Sequence, residues 1–137
     1  MALSRLLGLA VLACSTFVSA SVLAQDLRLT GSQEVPPNNS TVVGTGTIKV
    51  DADGNVSGSV SAPTLKQAHA AHIHLGAPGQ NGPPIITLSG GDIGTWTVPD
   101  GAKLTPEQMQ SYKAGNLYVN VHTEAHPGGE IRTQLKP

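Results

Sequence analysis

The sequence predicts an all-β domain, an antiparallel β-sandwich or Greek-key barrel of about eight short strands with one short helix. Three observations carry this expectation. Glycine, proline, asparagine and aspartate recur at short intervals and cut the chain into runs too short for long helices. Residues 41–62 hold two alternating runs around "DADGN", a hairpin signature, because Asp-Gly tolerates the positive φ of tight turns. Only residues 106–113 carry signals for both ends of a helix.

The first 24 residues are read as a leader rather than as part of the fold. They contain one early positive charge at Arg5, then an apolar run, then small residues ending at Ala24, the layout of a cleaved secretory signal peptide. Ser15, Thr16, Ser19 and Ser21 interrupt the run, which argues against a permanent membrane span. The expected product is an exported, periplasmic or secreted domain of residues 25–137. A lipoprotein anchored at Cys14 ranks second, because the apolar stretch before Cys14 is short and more apolar sequence follows it. Exported material is therefore expected to begin at Gln25, and its intact mass checks this. Retention of Cys14 with added lipid mass would establish the anchored form instead.

Removal of the leader takes the only cysteine with it, so no disulfide can staple the domain. The remainder carries 7 basic and 9 acidic residues without a basic stripe, which excludes a nucleic-acid-binding reading. Its only aromatic residues are Trp96, Tyr112 and Tyr118, so the core must come from Val, Ile, Leu and Ala.

Strands are expected at 27–31, on the two hairpin arms (Val42, Ile48 and Val50; Val56 and Val60), and at 69–75, 84–88, 95–98, 117–123 and 129–135. The helix at 106–113 has Thr105 as N-cap, Pro106 in the first turn, Gln108 to complete a capping box and Gly115 to end it.

Chemistry is concentrated in the histidines. Three of the five lie in "AHAAHIHLGAPG" and two in "NVHTEAHPGGEIR". Side chains alternate across a strand, so His72 and His74 share one face while Ile73 and Leu75 take the other. On an unbroken strand, His69 falls on the opposite face. In the second segment Tyr118, Asn120 and His122 share the polar face. The hairpin register that keeps both faces consistent pairs Val121 with Ile131, Asn120 with Arg132 and His122 with Glu130. His72, His74 and His122 thus become candidate ligands, with Glu130 as a possible outer partner of His122 and Glu124 or His126 as additional loop groups. Imidazole nitrogen suits copper, zinc, iron or nickel; copper or zinc is the expected ion, since the domain has no thiol and only Met109 as a thioether. The competing reading is that these histidines are ordinary polar surface, with Glu130 and Arg132 a structural ion pair.

The residues "LTGSQEVPP", "AHIHLGAPGQNGPP" and "GNLYVNVHTEAHPGGEIRTQL" resemble, in order, the blocks of the CHRD domain, the domain named after chordin, over about residues 27–136. The resemblance implies an exported all-β domain of the bacterial single-domain form. It carries His72, His74, His122, Glu130 and Arg132 over as motif positions. The chain departs from the pattern at His126, where asparagine is usual, and at Thr133, where glycine is frequent.

Two functions stay open at this point. One is a metal-binding module built on the histidines. The other is a non-catalytic interaction module that binds a protein or cell-surface glycan through "EVPPNNS" and "GAPGQNGPP", leaving the histidines structural. An enzyme is the least supported class: no nucleophile with a paired base, phosphate loop or glycosidase-like acidic pair stands out.

Overall fold

The computed structural model describes residues 24–137, so the expected leader, including Cys14, lies outside the described residues except for Ala24. Among the described residues nine strands form one antiparallel sheet: β1 (Gln25–Thr30), β2 (Val43–Val50), β3 (Val56–Ser61), β4 (Ala68–Leu75), β5 (Pro84–Thr87), β6 (Ser89–Gly90), β7 (Thr95–Thr97), β8 (Leu117–Thr123) and β9 (Ile131–Gln134). The one α-helix among the described residues, α1, spans Pro106–Lys113. The strand order is β5-β4-β8-β9-β1-β2-β3-β7-β6, and the sheet curls into a nearly closed barrel. The all-β expectation holds with one strand more than the eight predicted. The strand expected at 84–88 is β5, and the additional strand is the two-residue β6 that follows it, with Leu88 buried in the core between them.

Local chemistry explains the elements that positioned themselves as expected. In the β2–β3 turn, Oδ1 of Asp51 accepts from the backbone N–H groups of Asp53 and Asn55, while Gly54 takes φ +86°. The α1 capping box is reciprocal: Thr105 Oγ1 accepts from the Gln108 N–H and Gln108 Oε1 from the Thr105 N–H. No residue of α1 is fully buried; Met109 and Tyr112 only lean on the core.

Alternation along the strands sorts two layers. Leu27, Leu29, Ile48, Val60, Ile73, Trp96, Val119, Val121 and Ile131 form the apolar interior. The opposite face of β4, β8 and β9 carries His72, His74, Tyr118, Asn120, His122, Arg132 and Gln134, aligned in cross-strand rows. His72 pairs with Asn120 and Asn120 with Arg132; His74 pairs with Tyr118 and Tyr118 with Gln134. The expected hairpin register, Val121 with Ile131 and Asn120 with Arg132, is the observed one.

That polar face is not solvent-exposed. Every residue of β8 is buried, on both faces. Three loops cover it: 31–42, 76–83 and 124–130. They are sewn down by Arg132 donating to the Ala77 carbonyl and to Asn81, by Gln134 donating to the Gly76 carbonyl, by Asn81 donating to the Val35 carbonyl, and by Asn38 donating to the Glu130 carbonyl. A polar second core therefore sits between the outer sheet face and its loops.

Candidate metal centre

His72, His74 and His122 converge within this second core. Their candidate ligand atoms all lie within 4.8 Å of one another, and the ring centroids are 4.8, 5.5 and 5.7 Å apart. Three imidazoles bound tetrahedrally at about 2.0–2.1 Å from an ion would hold their centroids about 5 Å apart. The observed triangle needs little adjustment to reach that arrangement.

Hydrogen bonding sets which nitrogens are bare. His74 Nδ1 donates to the Gly82 carbonyl and His122 Nδ1 to the Pro127 carbonyl, each at 2.9 Å. A carbonyl only accepts, so both rings carry their proton on Nδ1 and present a lone pair at Nε2. The Nε2 of His122 accepts from His72 Nδ1 at 3.0 Å, whereas the buried Nε2 of His74 has no partner. Two imidazoles locked in one tautomer by backbone carbonyls, with their unprotonated nitrogens turned toward the other histidines, are preorganised donors once His72 yields its hydrogen bond to the ion. The donor set fits a divalent transition-metal ion.

Burial, as the leading cause, lowers the pKa of all three histidines from 6.5. The Gly82 and Pro127 carbonyls oppose it at His74 and His122; the neighbouring imidazoles reinforce it at His72. All three rings are thus neutral, the ligand form, at pH 7.

The other sequence-predicted groups lie elsewhere. Glu130 does not support His122. It falls just past the end of the β8–β9 ladder, where its carboxylate accepts from Thr123 Oγ1 and Ser40 Oγ, both at 2.7 Å, and Pro127 orients the imidazole instead. Glu124 accepts from Gln67 at an exposed position, and His126 lies in the loop that caps Thr123, outside the triad. His69 departs from its parity because β4 is bulged between Ala68 and Ala70. It is exposed, yet its charge helps to lower the pKa of His72 and His122.

Four further residues, none of them among the candidate ligands, take part. Tyr118 stacks on His74 with centroids 4.7 Å apart and planes 5° off parallel, and the Arg132 guanidinium lies 3.5 Å above the Tyr118 centroid. Asn120 reaches both His74 and Glu34. Glu34, 4% exposed, brings a carboxyl into this layer from the first loop. Strand parity and the hairpin register put Tyr118, Asn120 and Arg132 on the histidine face; Glu34 stands in the "EVPPNNS" segment, and no spacing rule brings it to the histidines.

Gly129 makes the approach of Glu34 possible. It adopts φ +126°, and a Cβ there would lie 2.3 Å from Asn120 Nδ2 and 2.4 Å from Glu34 Oε1. Burial raises the Glu34 carboxyl pKa from 4.5 to about 7, with a hydrogen bond from Asn120 and the charge of Arg132 partly opposing it. The folded state therefore holds this proton more tightly than the unfolded chain. The associated stability is complete below pH 4.5 and is lost as pH rises through 7. Glu34→Gln, neutral at every pH, is expected to match the parent near pH 4.5 and exceed its stability by about 2 kcal/mol at pH 8.5, allowing for water reaching the group from its cleft. Urea unfolding at the two pH values checks this; a pH-independent difference would refute it.

The loops also frame a cleft of about 450 Å³ beside the second core, lined by Ser32, Gln33, Glu34 and Val35 from one loop, Pro78 and Gly79 from another, and Arg132. Among the described residues no helix is long and apolar enough to cross a membrane.

Comparison with known proteins adds one match: the family model of the CHRD domain covers residues 26–135. No curated protein and no solved structure matches the chain.

Proposed function

The chain belongs to the CHRD-domain family, and we propose that its β domain is an exported module that binds one copper(II) or zinc ion through His72, His74 and His122. The observation that carries this reading is the pair of buried imidazoles whose Nδ1–H groups are held by the Gly82 and Pro127 carbonyls, leaving inward-facing Nε2 lone pairs. Polar surface histidines would have no need of such support. Neutral imidazoles suit both ions, and the layer around them offers no thiolate or thioether to select a softer one.

Calorimetric titration of the purified protein with copper(II) or zinc tests the proposal. One ion per chain is expected, with affinity falling as the pH drops below 6.5, because protonation competes for the same nitrogens. The downward displacement of the histidine pKa values extends binding somewhat below that point. Absence of binding at micromolar protein would overturn it.

A second reading rests on the cleft. Its walls include Glu34, Val35 and Pro37 from the loop 34–40 and Pro78 and Gly79 from the loop 76–84, the two segments that the sequence marks for interaction. An extracellular protein or glycan would dock there, and this role is compatible with a metal ion beneath the loops. Pull-down of a partner by the apo protein as well as by the loaded protein would favour the interaction role independently of metal.

A further inference from the structure

Two buried acceptor atoms on the histidine face lack a donor: Nε2 of His74 and Oδ1 of Asn120. The orientation of Asn120 is settled by its other end, where Nδ2 donates to the Gly128 carbonyl at 3.3 Å. A carbonyl cannot donate, so the amide oxygen is the atom left over. Asn120 lies on β8 two positions from His122, is paired across the sheet with His72, and contacts His74. It therefore touches the histidine triangle without belonging to it.

Oδ1 of Asn120 and Nε2 of His74 are both acceptors, and among the described residues no group donates to either. An ion answers the nitrogen. The oxygen requires a hydrogen, and copper(II) or zinc held by three nitrogens retains at least one further coordination position. Water in that position is polarised by the ion and becomes a strong donor.

We propose that the fourth coordination position is an exchangeable one that holds water, with Asn120 Oδ1 accepting a hydrogen from it and Glu34, beyond Asn120, linking the site to the 450 Å³ cleft. This inference rests on metal binding by the three histidines. It makes the centre an open site of the kind that exchanges ligands rather than a closed structural one. It also sets the ligand class: small molecules that donate a hydrogen bond are favoured over bare anions, whose lone pairs would meet that of Asn120.

The copper(II)-loaded purified protein provides the test, with solvent-proton relaxation reporting exchangeable water and azide serving as the bare anion. The parent protein is expected to enhance proton relaxation and to bind azide weakly. Asn120→Ala should retain copper(II) and bind azide about tenfold more tightly, because the opposing acceptor is gone. Asn120→Asp keeps the shape and adds negative charge; it should bind azide more weakly than the parent, and it carries the test if the alanine variant fails to fold. Copper(II) binding without relaxation enhancement, or azide affinity unchanged in both variants, would overturn the open site while leaving the three-histidine reading intact. Failure of the parent protein to bind copper(II) would remove both.

Discussion

Alanine at His74 or at His122 is expected to abolish copper(II) or zinc binding. The loss should exceed the roughly 10–100-fold that removal of an outer hydrogen-bonding partner costs, because each change deletes a donor atom. Among the described residues no further group stands with the two remaining imidazoles to substitute for the third. Neither Glu124 nor His126 belongs to the cluster, and the carboxylate of Glu130 is engaged by Ser40 and Thr123. Glu130→Gln and His69→Ala are accordingly expected to stay near the parent affinity, and calorimetric titration of all four variants separates the cases. Equal loss from the His69 and His74 changes would dissolve the three-residue site. So would undiminished binding by the His122 variant.

The contrast between Glu130 and Pro127 shows where strand reasoning reaches its limit. Period-two alternation identifies a face, and it correctly joined His72, His74 and His122 while sending Ile73, Val121 and Ile131 to the apolar interior. The hairpin register followed from the same rule. Parity applies only while the ladder continues. Glu130 lies one residue before β9 begins, so its side chain answers to the loop and not to the pleat. His69 illustrates the same failure from the other side, since one extra residue in β4 resets the alternation behind it.

What covers a face is a separate question from which residues lie on it. The alternating pattern of β8 reads as half-exposed, and its complete burial depends on loops whose own sequence shows only turn-forming residues. Glu34 enters the histidine layer through a chain segment far from the two histidine-bearing segments, by way of a fold-level approach that only Gly129 leaves room for. No spacing rule connects positions so far apart. The pair of carbonyls that fix the imidazole tautomers is equally invisible in sequence, because a backbone carbonyl has no residue type.

Arg132 is the residue on which the covering loops depend most, and Arg132→Ala is expected to cost about 3–4 kcal/mol of stability in the metal-free protein. Arg132 as a whole is only 1% exposed. It donates to Asn81 Oδ1, the Ala77 carbonyl and Gln134 Oε1 at 3.2–3.3 Å, and it lies flat over Tyr118. Alanine would leave those part-buried acceptors without their donor, open a cavity against the Tyr118 ring and remove a desolvated cation–π contact worth about 2 kcal/mol. Partial collapse of the loops around the gap keeps the total below the sum of these parts. Lysine should recover only a fraction, because a single ammonium cannot span both loop acceptors and stack on the ring at once. The same change should reach the metal: Tyr118, freed on one face, no longer clamps His74 on the other, so affinity is expected to fall by roughly 10–100-fold, the scale of lost outer support. Urea unfolding of the apo protein and calorimetric titration of the folded variant measure the two effects separately. An alanine variant within 1 kcal/mol of the parent would show that the loops hold the polar core without Arg132; one that is destabilised yet binds metal normally would break the connection from Arg132 through Tyr118 to His74.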